Sequence, residues 1–285
     1  MIYKTVYLSE NKKSSLIVMA MEASEKSRWS NEKKPIMVVI PGGSYTHISE
    51  RESIPIGLYY LYKGYQVFVL NYHVKDESAY PQPLIDLANA IKYIKENSGD
   101  LGANKDDITV AGFSAGGHLA ALYGSLFEKE EFHNLVGMNT KDLRIHQIIL
   151  GYPAVNLKHI CSSIEKYNAF ELVGSMFTKY VKEADPIYNI HSKIPPVFII
   201  QALDDKLIKA DHVVDYANKL IKEGVNVELH LFNEGGHTFA TGDSLTNFKV
   251  ACPERIHKWM DISIDWLENV RRLDLKNIIK DKLNM

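Results

Sequence analysis

The sequence predicts an α/β domain built on a mostly parallel, doubly wound sheet with helices on both faces. From residue 35 onward, short and almost purely apolar runs recur at 36–40, 66–70, 108–111, 147–150, 197–200 and 225–232. Strands apolar on both sides are what a parallel sheet covered by helices requires. Between the runs lie segments that are apolar at helical spacing, and such alternation implies right-handed crossovers. Ligands bind sheets of this type in the crevice at the carboxyl ends of the strands.

Taken in order, residues 2–9 and 15–21 read as two strands around the polar turn Glu10-Asn-Lys-Lys13, and 22–34 as a charged loop. A helix over 54–63 stops at Gly64. A second, over 83–97, places Leu84, Leu87, Ala88, Ile91 and Ile94 on one face. A third, over 210–223, does the same with Val213, Val214, Ala217, Leu220 and Ile221 and ends at Gly224, a residue suited to the position just past a helix. Residues 154–195 are too long for a plain connection and hold Phe170, Leu172, Val173, Met176, Phe177 and Tyr180 near helical spacing. They read as a short helical insertion roofing a pocket, although the same residues suit an ordinary core helix. The charged tail 273–285 reads as a solvated end in preference to a last helix. No internal repeat or low-complexity linker divides the chain, so residues 1–285 are expected to form one domain.

Composition narrows the function. A chain of 285 residues with 46% apolar and 24% charged side chains can bury a sizeable core. Its net charge of −2 supplies no basic field for nucleic acid, and no block of basic residues interleaved with aromatics occurs. Cys161 and Cys252 lie far apart without metal-ligand spacing and read as two reduced thiols rather than a disulfide. The first residues lack a basic segment followed by a long apolar one, and the apolar runs fall far short of a membrane span. The expectation is a soluble, cytoplasmic protein with no cofactor, no metal, and neither nucleic acid nor membrane as partner. A homodimer is compatible with the sequence, which sets no oligomeric state.

One short stretch carries chemistry. In Gly112-Phe-Ser-Ala-Gly-Gly-His118 a serine stands between glycines where the apolar run 108–111 gives way to a segment with Leu119, Ala120, Leu122 and Tyr123 at helical spacing. The spacing G-x-S-x-G alone arises by chance in roughly one chain of this length in ten. Its placement at a strand-to-helix junction is what matters. A turn that tight forces the serine into an unfavourable backbone conformation and needs neighbours almost free of side chains. The hydroxyl is then held out at the helix N-terminus, where unpaired N–H groups favour developing negative charge.

A serine hydroxyl is a weak nucleophile and needs a base, which in turn needs an orienting acid. In this type of sheet the chain order is serine, acid, histidine. His212 falls inside a predicted helix, His230 within a strand, and His257 in a helical run near Trp259. His237 alone follows a strand in a loop, Asn233-Glu-Gly-Gly-His-Thr-Phe239, whose glycines let the ring swing over the sheet edge. The acid should leave the end of the preceding strand, which points to Asp204-Asp205. Neighbours at a strand end point in different directions, so only one of them reaches the imidazole. The oxyanion needs backbone donors. One is the N–H of Ala115; the others should come from the loop Ile40-Pro-Gly-Gly-Ser-Tyr45, which meets neither spacing known for phosphate-binding loops.

These residues resemble an α/β-hydrolase of the small carboxylesterase group, close to the bacterial acetyl esterases, including those like acetylxylan and feruloyl esterases. The resemblance rests on Pro41-Gly-Gly-Ser-Tyr45, Tyr80-Pro-Gln-Pro-Leu-Ile-Asp86, the elbow at 112–118, Asp204-Asp205 and Gly235-Gly-His-Thr-Phe239, and it covers roughly residues 35–272. It implies Ser114, Asp205 and His237 as catalytic residues, the amides of Gly43, Ser44 and Ala115 as oxyanion donors, and Tyr45 and Phe113 as substrate-binding residues. Its register, about four residues from the last apolar strand residue to the acid, selects Asp205. His73 stands where the group usually has an arginine, which puts the packing there in question.

The function these readings imply is hydrolysis of small carboxylic esters through an acyl-enzyme, with short acyl groups such as acetyl, sugar esters among them, and a small-molecule ester as the substrate bound. Two rivals stand beside it. One is an aryl formamidase, amidase or peptidase on the same fold. The other is a catalytically silent binding protein with a hydrolase fold.

Overall fold

The computed structural model describes residues 1–22, 32–157, 182–247 and 255–283. Most of the expected roof over 154–195, much of the loop over 22–34, and both cysteines lie outside these residues. Eight strands form one sheet: β1 (Ile2–Tyr7), β2 (Ser15–Ala20), β3 (Lys34–Ile40), β4 (Gln66–Asn71), β5 (Ala103–Phe113), β6 (Gln147–Gly151), β7 (Val197–Ala202) and β8 (Val227–Phe232). Their spatial order is β1-β2-β4-β3-β5-β6-β7-β8. The six strands from β3 onward pair in parallel, whereas the β1–β2 hairpin adds to β4 antiparallel.

The period of two within each strand divides the core into two layers. Ile36, Val38 and Ile40 of β3, with Val110, Ile148, Leu150, Val197 and Ile199, pack on one side against α2 (Gln82–Glu96), α3 (Ala115–Leu126) and α6 (Ala210–Lys222). Met37 and Val39, with Val67, Val69, Ala111, Ile149, Phe198 and Ile200, pack on the other against α1 (Ile54–Tyr62) and α7 (Trp259–Leu283). Strands apolar on both faces are therefore buried on both faces, as the sequence implies. Two short helices, α4 (Glu130–Val136) and α5 (Thr140–Leu143), went unanticipated. Each buries one large apolar residue, Phe132 or Leu143, too few to leave a periodic signal. The tail expected to be a solvated end instead continues α7 as far as Leu283. Among the described residues no helix is long and apolar enough to cross a membrane.

Topology sets the place of the site. The chain leaves β3 toward β4 on one side, then returns past β3 to β5 on the other, so the ends of β3 and β5 flank a switch point. The two strands pair directly, Ile40 opposite Gly112. Here α3 lies so close to the sheet that a methyl group does not fit. A Cβ on Gly112 would fall 2.2 Å from the Gly116 carbonyl oxygen, and one on Gly116 would fall 2.1 Å from that of Ile40. Backbone meets backbone, so no side-chain rotation relieves the overlap.

Gly116→Ala is accordingly expected to lower unfolding free energy in urea by about 3 kcal/mol or more, the upper part of the range for overpacking. Wild-type stability in that variant would show that the helix can slide away from β3.

Candidate active site

Ser114 closes β5 and opens α3 with φ 50° and ψ −115°. Few non-glycine residues occupy that region, and they persist there only when their surroundings overdetermine them. The Ser114 N–H donates to the Gly151 carbonyl at 2.9 Å, and its own carbonyl accepts from the N–H groups of His118 at 3.0 Å and Ala154 at 3.2 Å. The turn is locked on both sides.

Its Oγ lies 2.9 Å from Nε2 of His237, and Nδ1 of the same ring lies 2.7 Å from Oδ2 of Asp205. With Nδ1–H given to the carboxylate, Nε2 keeps its lone pair for the serine proton. Asp205 is buried; its Oδ1 accepts the N–H groups of Leu207 and Ile208 at 2.8 and 2.9 Å, and Oδ2 also accepts Gln201 Nε2–H at 3.2 Å. Asp204 is exposed and accepts the Gly236 N–H at 2.8 Å. The adjacent acids thus part company: one faces the imidazole, the other pins the loop on which the imidazole rides.

The loop after β3 lies against the serine. A Cβ on Gly42 would fall 2.9 Å from that of Ser114. Gly43, Ser44 and Tyr45 follow with φ of 121°, 53° and 60°. At Gly43 a Cβ would meet the His47 carbonyl oxygen at 2.0 Å, so this turn requires glycine. Among the described residues, the amides of Gly43, Ser44 and Ala115 donate to no partner. Three unpaired N–H groups beside a serine at a helix N-terminus can receive an oxyanion.

Tyr45 and Phe113 go different ways. Tyr45 lines an apolar recess with Tyr80, Pro81, Leu84, Leu122 and Leu157, and its hydroxyl lies 2.6 Å from Nδ1 of His118. Phe113 was expected to touch substrate, but the structure does not bring it there. It is wholly buried against Tyr152 and Trp259 in the layer under α7, because the last residue of β5 points to the face opposite α3. His73, in the arginine position, is also buried, with its N–H and Nδ1 both 2.8 Å from Oδ2 of Asp86. The pair satisfies itself.

The family model described as BD-FAE matches residues 26–220. The chain belongs to the BD-FAE family. Esterase LipQ of Mycobacterium tuberculosis is 27% identical over 183 residues, which are 62% of this chain and 43% of LipQ. Across the first three curated relatives it matches, the chain spans between 32% and 44% of their length. Solved structures match nearly end to end, these two among them. An α/β-hydrolase from a Medee basin deep-sea metagenome library is 29% identical with a TM-score of 0.73, covering 95% of this chain and 98% of that one. An acetyl ester-xyloside bifunctional hydrolase from Caldicellulosiruptor lactoaceticus is 26% identical with a TM-score of 0.74, covering 94% and 96%. The fold is that of the α/β-hydrolases.

Three residues of this BD-FAE chain escaped the sequence reading. Glu52, in the charged run Ser49-Glu-Arg-Glu-Ser53, is fully buried. Tyr152 leaves the end of β6 with φ 37°; burial first, then the neighbouring Glu52 carboxylate, push its pKa far up, so its hydroxyl keeps its proton. His118 looks like one more polar residue on α3. It instead bridges Tyr45 Oη and the Ala184 carbonyl, 2.6 Å from each.

Burial holds His118 neutral, its pKa lowered from an ordinary 6.5 to about 4, with the hydrogen bond to Ala184 opposing the shift. The unfolded chain therefore takes up a proton below pH 6.5 that the folded chain refuses until about pH 4. The stability this group provides is complete above pH 6.5 and is lost as pH falls through that window. His118→Gln, measured by urea midpoints against pH, should flatten the acid slope by up to one proton, about 1.4 kcal/mol per pH unit. An unchanged difference between wild type and variant from pH 7 to 4 would contradict this account.

Proposed function

We propose that the chain is a serine hydrolase of small carboxylic esters, with short acyl groups such as acetyl preferred. The carrying observation is the continuous line from Ser114 Oγ through His237 to Asp205, at 2.9 and 2.7 Å, with three neighbouring amides that find no partner among the described residues. His237 Nε2 takes the Ser114 proton as Oγ adds to the ester carbonyl, and the carbonyl oxygen becomes an anion held by the amides of Gly43, Ser44 and Ala115. Collapse breaks the bond to the alcohol, which leaves with the proton from His237. Water, activated by the same nitrogen, then releases the acid and restores Ser114. Asp205 stabilises the imidazolium formed in each half without taking its proton.

The preference for short acyl groups is supported by the apolar recess that Tyr45, next in the chain to Ser44, lines with Leu122, and by the likeness to the Caldicellulosiruptor acetyl ester-xyloside hydrolase. Sugar esters are the natural first substrates to try.

Ser114→Ala should fold as wild type, lose all detectable hydrolysis of p-nitrophenyl acetate, and fail to react with a fluorophosphonate probe that labels the wild type. A wild type that neither reacts with the probe nor cleaves p-nitrophenyl or acetylated-sugar esters would remove the esterase reading.

The two acids separate by role. Asp205→Asn deprives the imidazole of its tautomer and its stabilised cation, a loss on the order of 10⁴ in kcat in the best-studied triad. Asp204→Asn keeps an oxygen for the Gly236 N–H and should cost about tenfold or less by the same logic. Steady-state kinetics on the two variants decide it; the reverse ranking would reassign the acid.

A further inference from the structure

Beneath the site lies a carboxylate that none of the steps above uses. Glu52 Oε2 accepts the Gly42 N–H at 2.8 Å, and Oε1 accepts the Tyr152 hydroxyl at 2.7 Å. Tyr152 Oη in turn accepts the Ala240 N–H at 3.2 Å, and the tyrosine ring stands edge-on to the His237 imidazole with centroids 5.1 Å apart. One acid thus joins the loop after β3 to the loop after β8, by way of a tyrosine from the end of β6. The joint is tight. A Cβ on Gly42 would fall 2.7 Å from Glu52 Oε2 and 2.9 Å from Ser114 Cβ.

Burying a carboxylate is costly unless its oxygens are satisfied, so an apolar side chain would be the simpler filler. What an apolar residue lacks is the ability to accept from both sides at once. Here the Gly42 N–H and the Tyr152 O–H both donate, the tyrosine oxygen already accepting from Ala240, and the carboxylate offers one acceptor oxygen to each. An amide puts an NH2 in place of one oxygen, so one of the two observed donations is lost and that donor must turn elsewhere.

We propose that Glu52 is a positioning residue for the oxyanion-binding amides. By drawing the Gly42 N–H toward itself it turns the next two, those of Gly43 and Ser44, toward the carbonyl attacked by Ser114. Through Tyr152 it keeps the loop of His237 in register with them. The inference rests on the ester-hydrolase reading and adds a requirement to it: donors and base are set by one shared anchor.

The experiment compares wild type, Glu52→Gln, Tyr152→Phe and the double variant on p-nitrophenyl acetate, and measures their affinity for a trifluoromethyl ketone, whose serine adduct carries the oxyanion. Glu52→Gln should lose about 10- to 100-fold in kcat with KM changed less than about threefold, because misaimed donors matter only once the anion forms. Ketone affinity should fall by the same factor as kcat/KM. Tyr152→Phe should lose less, and the double variant about as much as Glu52→Gln alone, since both cut one bridge. If Glu52→Gln does not accumulate as folded protein, Tyr152→Phe carries the test through the same match between ketone affinity and kcat/KM. A Glu52→Gln enzyme with wild-type kcat/KM, a loss confined to KM, or unchanged ketone affinity in either variant would overturn the proposal while leaving an active wild type an esterase. A wild type inert to fluorophosphonate and to esters overturns both readings together.

Discussion

The architecture around the site depends on one steric constraint, the approach of α3 to β3 with no side chain between them. A Cβ at Gly112 would meet the Gly116 carbonyl, and one at Gly116 would meet the Ile40 carbonyl that ends β3, so the approach needs glycine at both. The helix must therefore start one residue after the strand ends, and Ser114 absorbs the reversal at φ 50°. The strain is not incidental. It puts Oγ above the sheet, aims the helix N-terminus at the same point, and brings the loop at 41–45 against the serine from the neighbouring strand.

Around that turn, polar side chains are buried, and the low-dielectric interior makes each one demand its partners. Asp205 accepts from two amides, one side-chain amide and the imidazole. Glu52 takes a backbone N–H on one oxygen and a tyrosine hydroxyl on the other. His118 spans from Tyr45 to the Ala184 carbonyl, and so links the loop after β3 to the return of the 154–195 segment. Such networks leave little freedom of position, which is what a site aimed at a tetrahedral intermediate requires. Arg51 extends the same logic outward: its Nε–H reaches the Thr246 carbonyl at 2.8 Å and its Nη2 reaches Asn247 Oδ1 at 3.0 Å, bracing the chain beyond His237.

Much of this was legible in the sequence, for a definite reason. The strands of a doubly covered sheet are marked by apolar runs, and α2 and α6 by their faces, because burial there depends on residue type and spacing alone. Ser114, His237 and the pair Asp204-Asp205 were legible because glycines and strand ends bracket them locally. The choice between the two acids came from the register of a resembling family, and the structure brings Asp205 to the imidazole. Phe113, named through the resemblance, is instead buried against Tyr152 and Trp259, because the sequence does not record which face of the sheet a strand's last residue points to. The helices at 130–143 were missed because each buries only one large residue.

By itself the sequence determined the α/β class, the strand-to-helix elbow, and the short set of residues able to supply nucleophile, base and acid. These follow from interactions spanning a few residues, which local pattern records. Tertiary structure alone decided that Glu52 is buried with both oxygens paired, that His118 bridges two loops, and that Phe113 belongs to the core. Each of those outcomes depends on groups far apart in the chain: Gly42 and Tyr152 donate to one carboxylate, and Ala240 donates to that tyrosine. No window of sequence contains them together, so their pairing energy leaves no local trace.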